Sequence, residues 1–409
     1  KAKKFVFRRG FVLTFCGNGR KLEEASKMAD TDVVHDVIYF DRSRWETDQG
    51  CRRLRYWQYS YAGKGIVLPG HAWELGFGGA WHEAAKQLHL TGDLEGAIKV
   101  AKAYIGPYAD GCAAVWVEQQ MMLLEGLVSG WARSTARANL LQAYDIVAVE
   151  QELLYTGDPQ FKFACRPDLI VRHKQSGKLA YVEFKTTGNI KSEWFRQWQR
   201  APQLLATTLA VKQVYGEDLD HALVQPLYKG YEFNGELSSV FVAAFRNLMG
   251  PTPQWAAKRP TSWKDWEKVQ ASTVGYPGWL DCIGQDAIDS AIPVTRPIYI
   301  APRMVQNWWK QACLREAEVA EAATKLAPLA EALTIPDLTT AERRGVHEEY
   351  DLLLNTHFPQ NFRNCEPTWG RRGCMCLNAC WIEHVGDNPL GSGYQVRVPH
   401  HEAEADNAS

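Results

Sequence analysis

Apolar and polar positions alternate most clearly near the middle of the chain, in two runs. Phe163-Ala-Cys-Arg-Pro-Asp-Leu-Ile-Val-Arg172 and Leu179-Ala-Tyr-Val-Glu-Phe-Lys-Thr-Thr187 are rich in β-branched and aromatic residues. His173-Lys-Gln-Ser-Gly-Lys178 between them has turn chemistry, so the pattern predicts a β-hairpin. A turn centred on Gln175 and Ser176 sets Asp168 opposite Glu183, and facing residues of such a pair have Cβ atoms roughly 5 Å apart. Lys185 falls on the same face, because side chains alternate along a strand. Leu169, Val171, Val182 and Phe184 then point the other way, into a core. A one-residue slip would turn that apolar set outward, which argues for this pairing or one close to it. Two carboxylates and an amine on one face make either a metal site with a charged lysine beside it or an exposed ion-pair patch.

The flanking pattern supplies the rest of the frame. Gly78-Gly-Ala-Trp-His82 precedes a helical run from Glu83 to Leu90, residues 92–140 read as helices, and the apolar Ala113–Val128 run reads as a buried one. Tyr144–Leu153 predicts a strand feeding the hairpin. Ile190–Tyr215 predicts a helix, and His221–Phe233 a further strand. Pro251–Pro277, rich in Pro and Trp, reads as a connecting loop, and a solvated supporting helix is expected over Pro302–Leu333. The pattern thus mixes strands with helices.

Charge narrows the possible partners. A formal net charge of −1 over 409 residues excludes a generally basic protein, so contacts with nucleic acid must come from local patches. Two such patches stand out. Arg52, Arg53 and Arg55 follow Cys51, and Arg196 and Arg200 are interleaved with Trp194 and Trp198, a mixture suited to phosphates and unstacked bases. An ordinary amphipathic helix with its indoles in the core is the other reading of the second patch. No apolar run approaches a membrane span, and Phe11–Cys16 is too short for a signal-peptide core. There is no G-x-x-x-x-G-K-[ST] loop, so no motor motif accompanies these features.

Ten cysteines without a secretory signal suggest a reducing compartment, where clustered cysteines bind metal more often than they pair. Cys365, Cys374, Cys376 and Cys380 fall within 16 residues and could form a closed zinc site by themselves.

The wording Arg166-Pro-Asp168 followed by Val182-Glu-Phe-Lys-Thr-Thr187 resembles the PD-(D/E)xK nuclease superfamily, and within it the RecB-like, AddB-like exonuclease branch. The resemblance implies metal-assisted hydrolysis of DNA. His82, in a G-x-x-x-H segment, corresponds to a metal ligand, and Glu150 to an acidic residue one strand before the Asp, with Glu152 as its substitute. Asp168, Glu183, His82 and the Phe184 carbonyl would hold Mg²⁺ or Mn²⁺. Lys185 would orient the attacking water, and an imidazole ligand favours tolerance of manganese. Gln203 corresponds to the Gln of a Gln-x-x-x-Tyr motif, although Thr207 stands where the Tyr would be. The spacing of Cys365, Cys374 and Cys380 is similar to the C-terminal triad of iron–sulfur members, whose fourth ligand comes from far upstream. Cys51 is the candidate for a 4Fe-4S cluster, with Cys376 an alternative ligand and Zn²⁺ the alternative metal.

The expected architecture is a PD-(D/E)xK restriction-endonuclease-like α/β core with helical insertions and a C-terminal iron–sulfur staple. Its expected parts are an N-terminal arm over 1–85, a helical insertion over 86–140, a nuclease core over 141–260, a linker and long helix over 261–340, and a cysteine segment and tail over 341–409. The expected activity is a metal-dependent DNA exonuclease acting on single strands or DNA ends, in the cytoplasm of a bacterial or phage-infected cell, with a helicase or recombination partner supplying any motor. A catalytically idle DNA-binding scaffold and a structure-specific endonuclease are the alternatives.

Overall fold

The computed structural model describes residues 3–6, 12–15, 37–69, 73–109, 114–188, 190, 192–216, 219–229, 231–233, 236–238, 285–365, 374–398 and 401. In chain order the elements begin with β1 (Lys3–Val6), β2 (Val12–Phe15), β3 (Ile38–Asp41), α1 (Arg42–Gly50), α2 (Arg52–Arg55) and β4 (Ile66–Val67). Next come α3 (Trp73–Thr91), α4 (Leu94–Ile105), α5 (Ala114–Arg133), α6 (Thr135–Ala143), β5 (Tyr144–Val149), β6 (Leu153–Tyr155), β7 (Phe161–Cys165), β8 (Leu169–His173) and β9 (Leu179–Thr187). Then follow α7 (Ser192–Trp198), α8 (Pro202–Tyr215) and β10 (Leu219–Tyr228), and later the helices Pro302–Leu333 and Thr340–His357. The fold is mixed α/β, and among the described residues no helix is long and apolar enough to cross a membrane.

The chain divides into two compact units. One comprises residues 70–153 and 165–305, and the other 1–69, 154–164 and 306–409. In the first, a four-stranded sheet has the order β10-β9-β8-β5, with β9 and β10 parallel and the other pairs antiparallel. The hairpin takes the expected register, Leu169↔Val182 through Arg172↔Leu179, and continuing it by one step places Asp168 across from Glu183. Leu169, Val171, Val182 and Phe184 are buried with Phe77, Trp81 and Trp131, the apolar faces of α3 and α5. α3 lies close to α4, since a Cβ on Gly79 would sit 2.6 Å from the Tyr104 ring.

Two helical expectations need correction here. His82 is not near a helix start: α3 begins nine residues earlier, at Trp73, so the glycines lie inside the helix. The single helix expected over Ile190–Tyr215 is two, because Pro202 opens α8 and holds Ala201 extended at φ −65°, ψ 127°. Proline lacks the N–H that a continuing helix needs and crowds the residue before it. The Pro251–Pro277 segment lies outside the described residues.

The other unit pairs β3 in parallel with β7 and packs Phe40 against Phe163 at 5.3 Å. Its long helix has the expected bounds, yet one face is buried through Val319, Ala322, Leu326 and Leu329, so it is more than a solvated support. Arg315 on that helix binds Asp48 through Nη2 at 2.9 Å, and Glu316 meets the Arg55 guanidinium at 2.7 Å. These pairs tie α1 and α2 to a helix more than 250 residues away.

Candidate metal centre and cysteine group

The first constellation is built on the hairpin. Asp168 stands just before β8 and is 6% exposed; its Oδ2 accepts the Phe184 N–H and its Oδ1 lies 2.9 Å from His82 Nδ1. His82 reaches it from α3 and also stands 3.5 Å from Glu150 Oε1. Glu150 arrives there by an unusual backbone. β5 shifts register between Ile146 and Ala148, and Glu150 then adopts φ +49° while its N–H donates to the Asp168 carbonyl at 2.9 Å. The left-handed region costs a side-chain-bearing residue about 1–2 kcal/mol, so the surroundings hold this carboxylate in place. Glu152, the substitute, is instead paired with Arg166 at 2.8 Å.

The ligand atoms of His82, Glu150 and Asp168 all lie within 4.8 Å of one another, the one such trio among the described residues. Glu183, 2% exposed, holds Lys185 Nζ at 3.1 Å and accepts a hydrogen bond from Gln203 Nε2 on the first turn of α8. Lys185 also lies 5.8 Å over the Trp198 ring. Trp198 therefore props the lysine, a role that sequence reading missed because only the fold brings α7 over β9. Phe184 links the two carboxylates through its main chain, while its ring sits 5.0 Å from Trp131 and is fully buried.

Electrostatics joins these groups into one site. Burial alone would lower the His82 imidazole, but Asp168 and Glu150 outweigh it and raise it well above its usual range. Burial would raise Asp168, yet His82, Lys185 and the Phe184 amide hold it below the ordinary carboxylate range. Glu150 is raised, mainly by burial and further by repulsion from Asp168, with His82 opposing. His82 Nδ1 thus lies between the Asp168 and Glu150 carboxylates, the position a cation takes in a metal site. Gln203 Oε1 is buried with no donor in reach, the acceptor that a metal-bound water would satisfy. An oxygen-rich set with one imidazole fits a hard or borderline divalent ion.

The expected DNA patches are only partly available. Arg52 is exposed, but Arg53 and Arg55 are 5% and 2% exposed, which corrects their assignment to a surface patch. Arg53 donates to the Phe358 carbonyl at 2.8 Å and to Asn355 at 2.6 Å, and Arg55 is held by Glu316. Arg196 is exposed and paired with Glu193 at 2.9 Å, and Arg200 is exposed in the break before α8. Trp194 is buried, and Thr207 is 2% exposed, which leaves no stacking group at the place of the motif's Tyr.

In the other unit, Cys51 between α1 and α2 is an electrostatic neighbour of Cys374, Cys376 and Cys380, and Cys365 of Cys374, all of them unpaired thiols, although no three of these described sulfurs lie within 4.8 Å of one another. Burial raises Cys374, and the neighbouring Cys51 and Cys365 raise it further; Cys380 is pushed up to about 12, again chiefly by burial. Cys376 is completely buried and raised most, with Cys374, Cys380 and Cys51 around it. Five soft donors that repel one another as thiolates suit a cation or cluster that neutralises them. Burial lowers the basicity of Arg53, with Cys380, Tyr350, Asp351 and Cys51 opposing, and its bonds to Phe358 and Asn355 hold it inside. Cys165 ends β7 and Cys313 lies on the long helix, and Cys16, Cys112 and Cys282 lie outside the described residues.

Comparison with protein-family models and with curated proteins finds no match to this chain.

Proposed function

We propose that the chain is a metal-dependent DNA exonuclease of the PD-(D/E)xK superfamily, in its RecB-like branch, acting on single strands or DNA ends. The observation that carries this reading is the convergence of His82, Glu150 and Asp168 within 4.8 Å, beside Glu183 and Lys185 on the same hairpin. Mg²⁺ or Mn²⁺ would supply polarisation of the phosphate and a bound water of lowered pKa. His82, Glu150, Asp168 and Glu183, with the Phe184 carbonyl, would hold it. The Phe184 N–H fixes the Asp168 carboxylate, and Gln203 fixes Glu183. Lys185, held between Glu183 and the Trp198 face, directs its ammonium to the charge that develops on the phosphate. In the other unit, Cys51, Cys365, Cys374 and Cys380 would hold a 4Fe-4S cluster, and the zinc alternative would use Cys376 in place of Cys51.

Labelled single strands, duplexes and circles incubated with Mg²⁺ or Mn²⁺ test the reading. Linear single strands should shorten from an end and circles should persist, and Asp168→Ala should stop the reaction. Cleavage of circles at the same rate would favour the endonuclease, and an unchanged rate in Asp168→Ala would remove the site.

A further inference from the structure

Three glycines in α3 lie close together in sequence, and they are not alike. A Cβ on Gly76 would fall 2.4 Å from the Tyr108 ring, and one on Gly79 2.6 Å from the Tyr104 ring. Both glycines are needed for α3 to approach those two tyrosines. Gly78 has no such reason. Among the described residues the one atom within 4 Å of its Cβ position is Thr186 Oγ1, at 4.0 Å, an ordinary contact. Alanine would fit there, and a glycine inside a helix costs stability relative to alanine. Either the glycine is tolerated, or something other than this chain uses the room.

Its position favours the second. Gly78 stands four residues before His82, so the two share one side of α3 about 6 Å apart along its axis. The neighbouring end of β9 is open: Gly78, Thr186 and Thr187 are half-buried, whereas Phe184 is fully buried. β9 and β10 run parallel and end together here, Thr187 pairing with Tyr228, and the Lys229 N–H donates to the Thr187 carbonyl at 3.0 Å. Ligands of α/β sheets sit outside the carboxyl ends of their parallel strands. Lys229 also carries its ammonium 5.2 Å over the ring of Phe77, the residue before Gly78. The room at Gly78 thus has a hydroxyl beside it, an ammonium on the same turn of α3 and the metal-centre histidine one turn along. These are surroundings for an anionic chain.

We infer that the gap at Gly78 is the channel for the substrate strand, a single sugar–phosphate chain lying between α3 and the end of β9. This rests on the nuclease reading above and adds to it the side from which the strand reaches the carboxylate centre. The room gained is that of one side chain, which suits one strand and is far too narrow for a duplex. A side chain at position 78 would stand where the strand runs.

The test compares Gly78→Ala and Gly78→Leu with wild type, each as the full chain. Three quantities are measured: the melting temperature, the anisotropy of a labelled single-stranded oligonucleotide without added divalent metal, and cleavage of that oligonucleotide with Mn²⁺. Gly78→Ala should melt about 2 °C higher, because its helix propensity is better. Strand binding should weaken about threefold in Gly78→Ala and about tenfold or more in Gly78→Leu, the order of effect when a filled contact is overpacked. The value of kcat/KM should fall in step, and kcat should fall less. Should Gly78→Leu melt below wild type, Gly78→Ala alone carries the expectation. A tolerated glycine gives the other pattern, a higher melting temperature with binding and cleavage unchanged. That pattern, or wild type that does not bind single strands, overturns the inference. Wild type that binds strands with this dependence on position 78 and leaves them uncut overturns the nuclease reading and keeps the channel.

Discussion

The carboxylate centre and the cysteine group are built in opposite ways. Asp168 and Glu183 are 15 residues apart and are presented by one hairpin whose register its own turn dictates. Cys51 and Cys365 are more than 300 residues apart and meet only when α1, α2 and the C-terminal segment have packed. The first arrangement borrows rigidity from a sheet that forms without it. The second, once it holds the cluster proposed above, would itself be among the contacts that hold its unit together. Loss of a side chain should therefore cost chemistry in one region and folding in the other.

The largest effect should come from Asp168→Ala and Lys185→Ala. Each should lower kcat by about 10³-fold or more, roughly 4 kcal/mol of transition-state stabilisation, with melting little changed. Single-turnover assays beside thermal denaturation check this; a variant that loses activity and melting temperature together would erase the contrast. Cys51→Ala should do the reverse. It should bleach protein purified without oxygen and destabilise it by several kcal/mol, with an upper figure of about 5 for closing so long a loop on the disulfide analogy. Iron, sulfide and zinc analysis alongside urea denaturation measures both. Colourless, zinc-containing protein that tolerates Cys51→Ala and needs Cys376 would replace the cluster by a local zinc site.

A smaller effect separates strain from function inside the carboxylate centre. Glu150→Gly removes the left-handed penalty and one of two neighbouring carboxylates, so it should raise stability by about 1 kcal/mol while weakening metal binding. Metal titration and denaturant midpoints on one preparation will show whether the two move in opposite directions. The smallest effect is in pH. Burial would raise Asp289, but Thr135, through its N–H at 2.8 Å and Oγ1 at 2.6 Å, and Gln285 lower it below 3.8. An acid lowered on folding stabilises above its unfolded pKa and loses that contribution as pH falls through the folded value. Wild type and Asp289→Asn should therefore converge in stability as pH falls through the folded-state value of Asp289.

What the sequence disclosed follows the same division. The hairpin was legible because a period of two, a turn and a buried face all specify one register, and the carboxylates and Lys185 came with it. Pro202 was legible too, and the expected single helix ran past it because the apolar pattern continues on both sides. Arg53 and Arg55 were opaque. Their stretch is basic throughout, and the groups that bury them, Glu316, Asn355 and Phe358, lie 261–305 residues away. Nor does any local signal announce a glutamate at φ +49°, since the left-handed region is ordinarily marked by Gly or Asn.

The pairing of Ile66 with Val396 also has a consequence in time. A ribosome adds roughly 5–20 residues per second, so the partners of α1, α2 and β4 emerge on the order of 15–60 s after them. Throughout that interval the Cys51 thiol and the apolar ring of Tyr56, Trp57 and Tyr61 have no C-terminal segment to cover them. The intervening sheet can assemble meanwhile. Nascent chains stalled before Cys365 should accordingly present a protected hairpin and a protease-sensitive N-terminal arm.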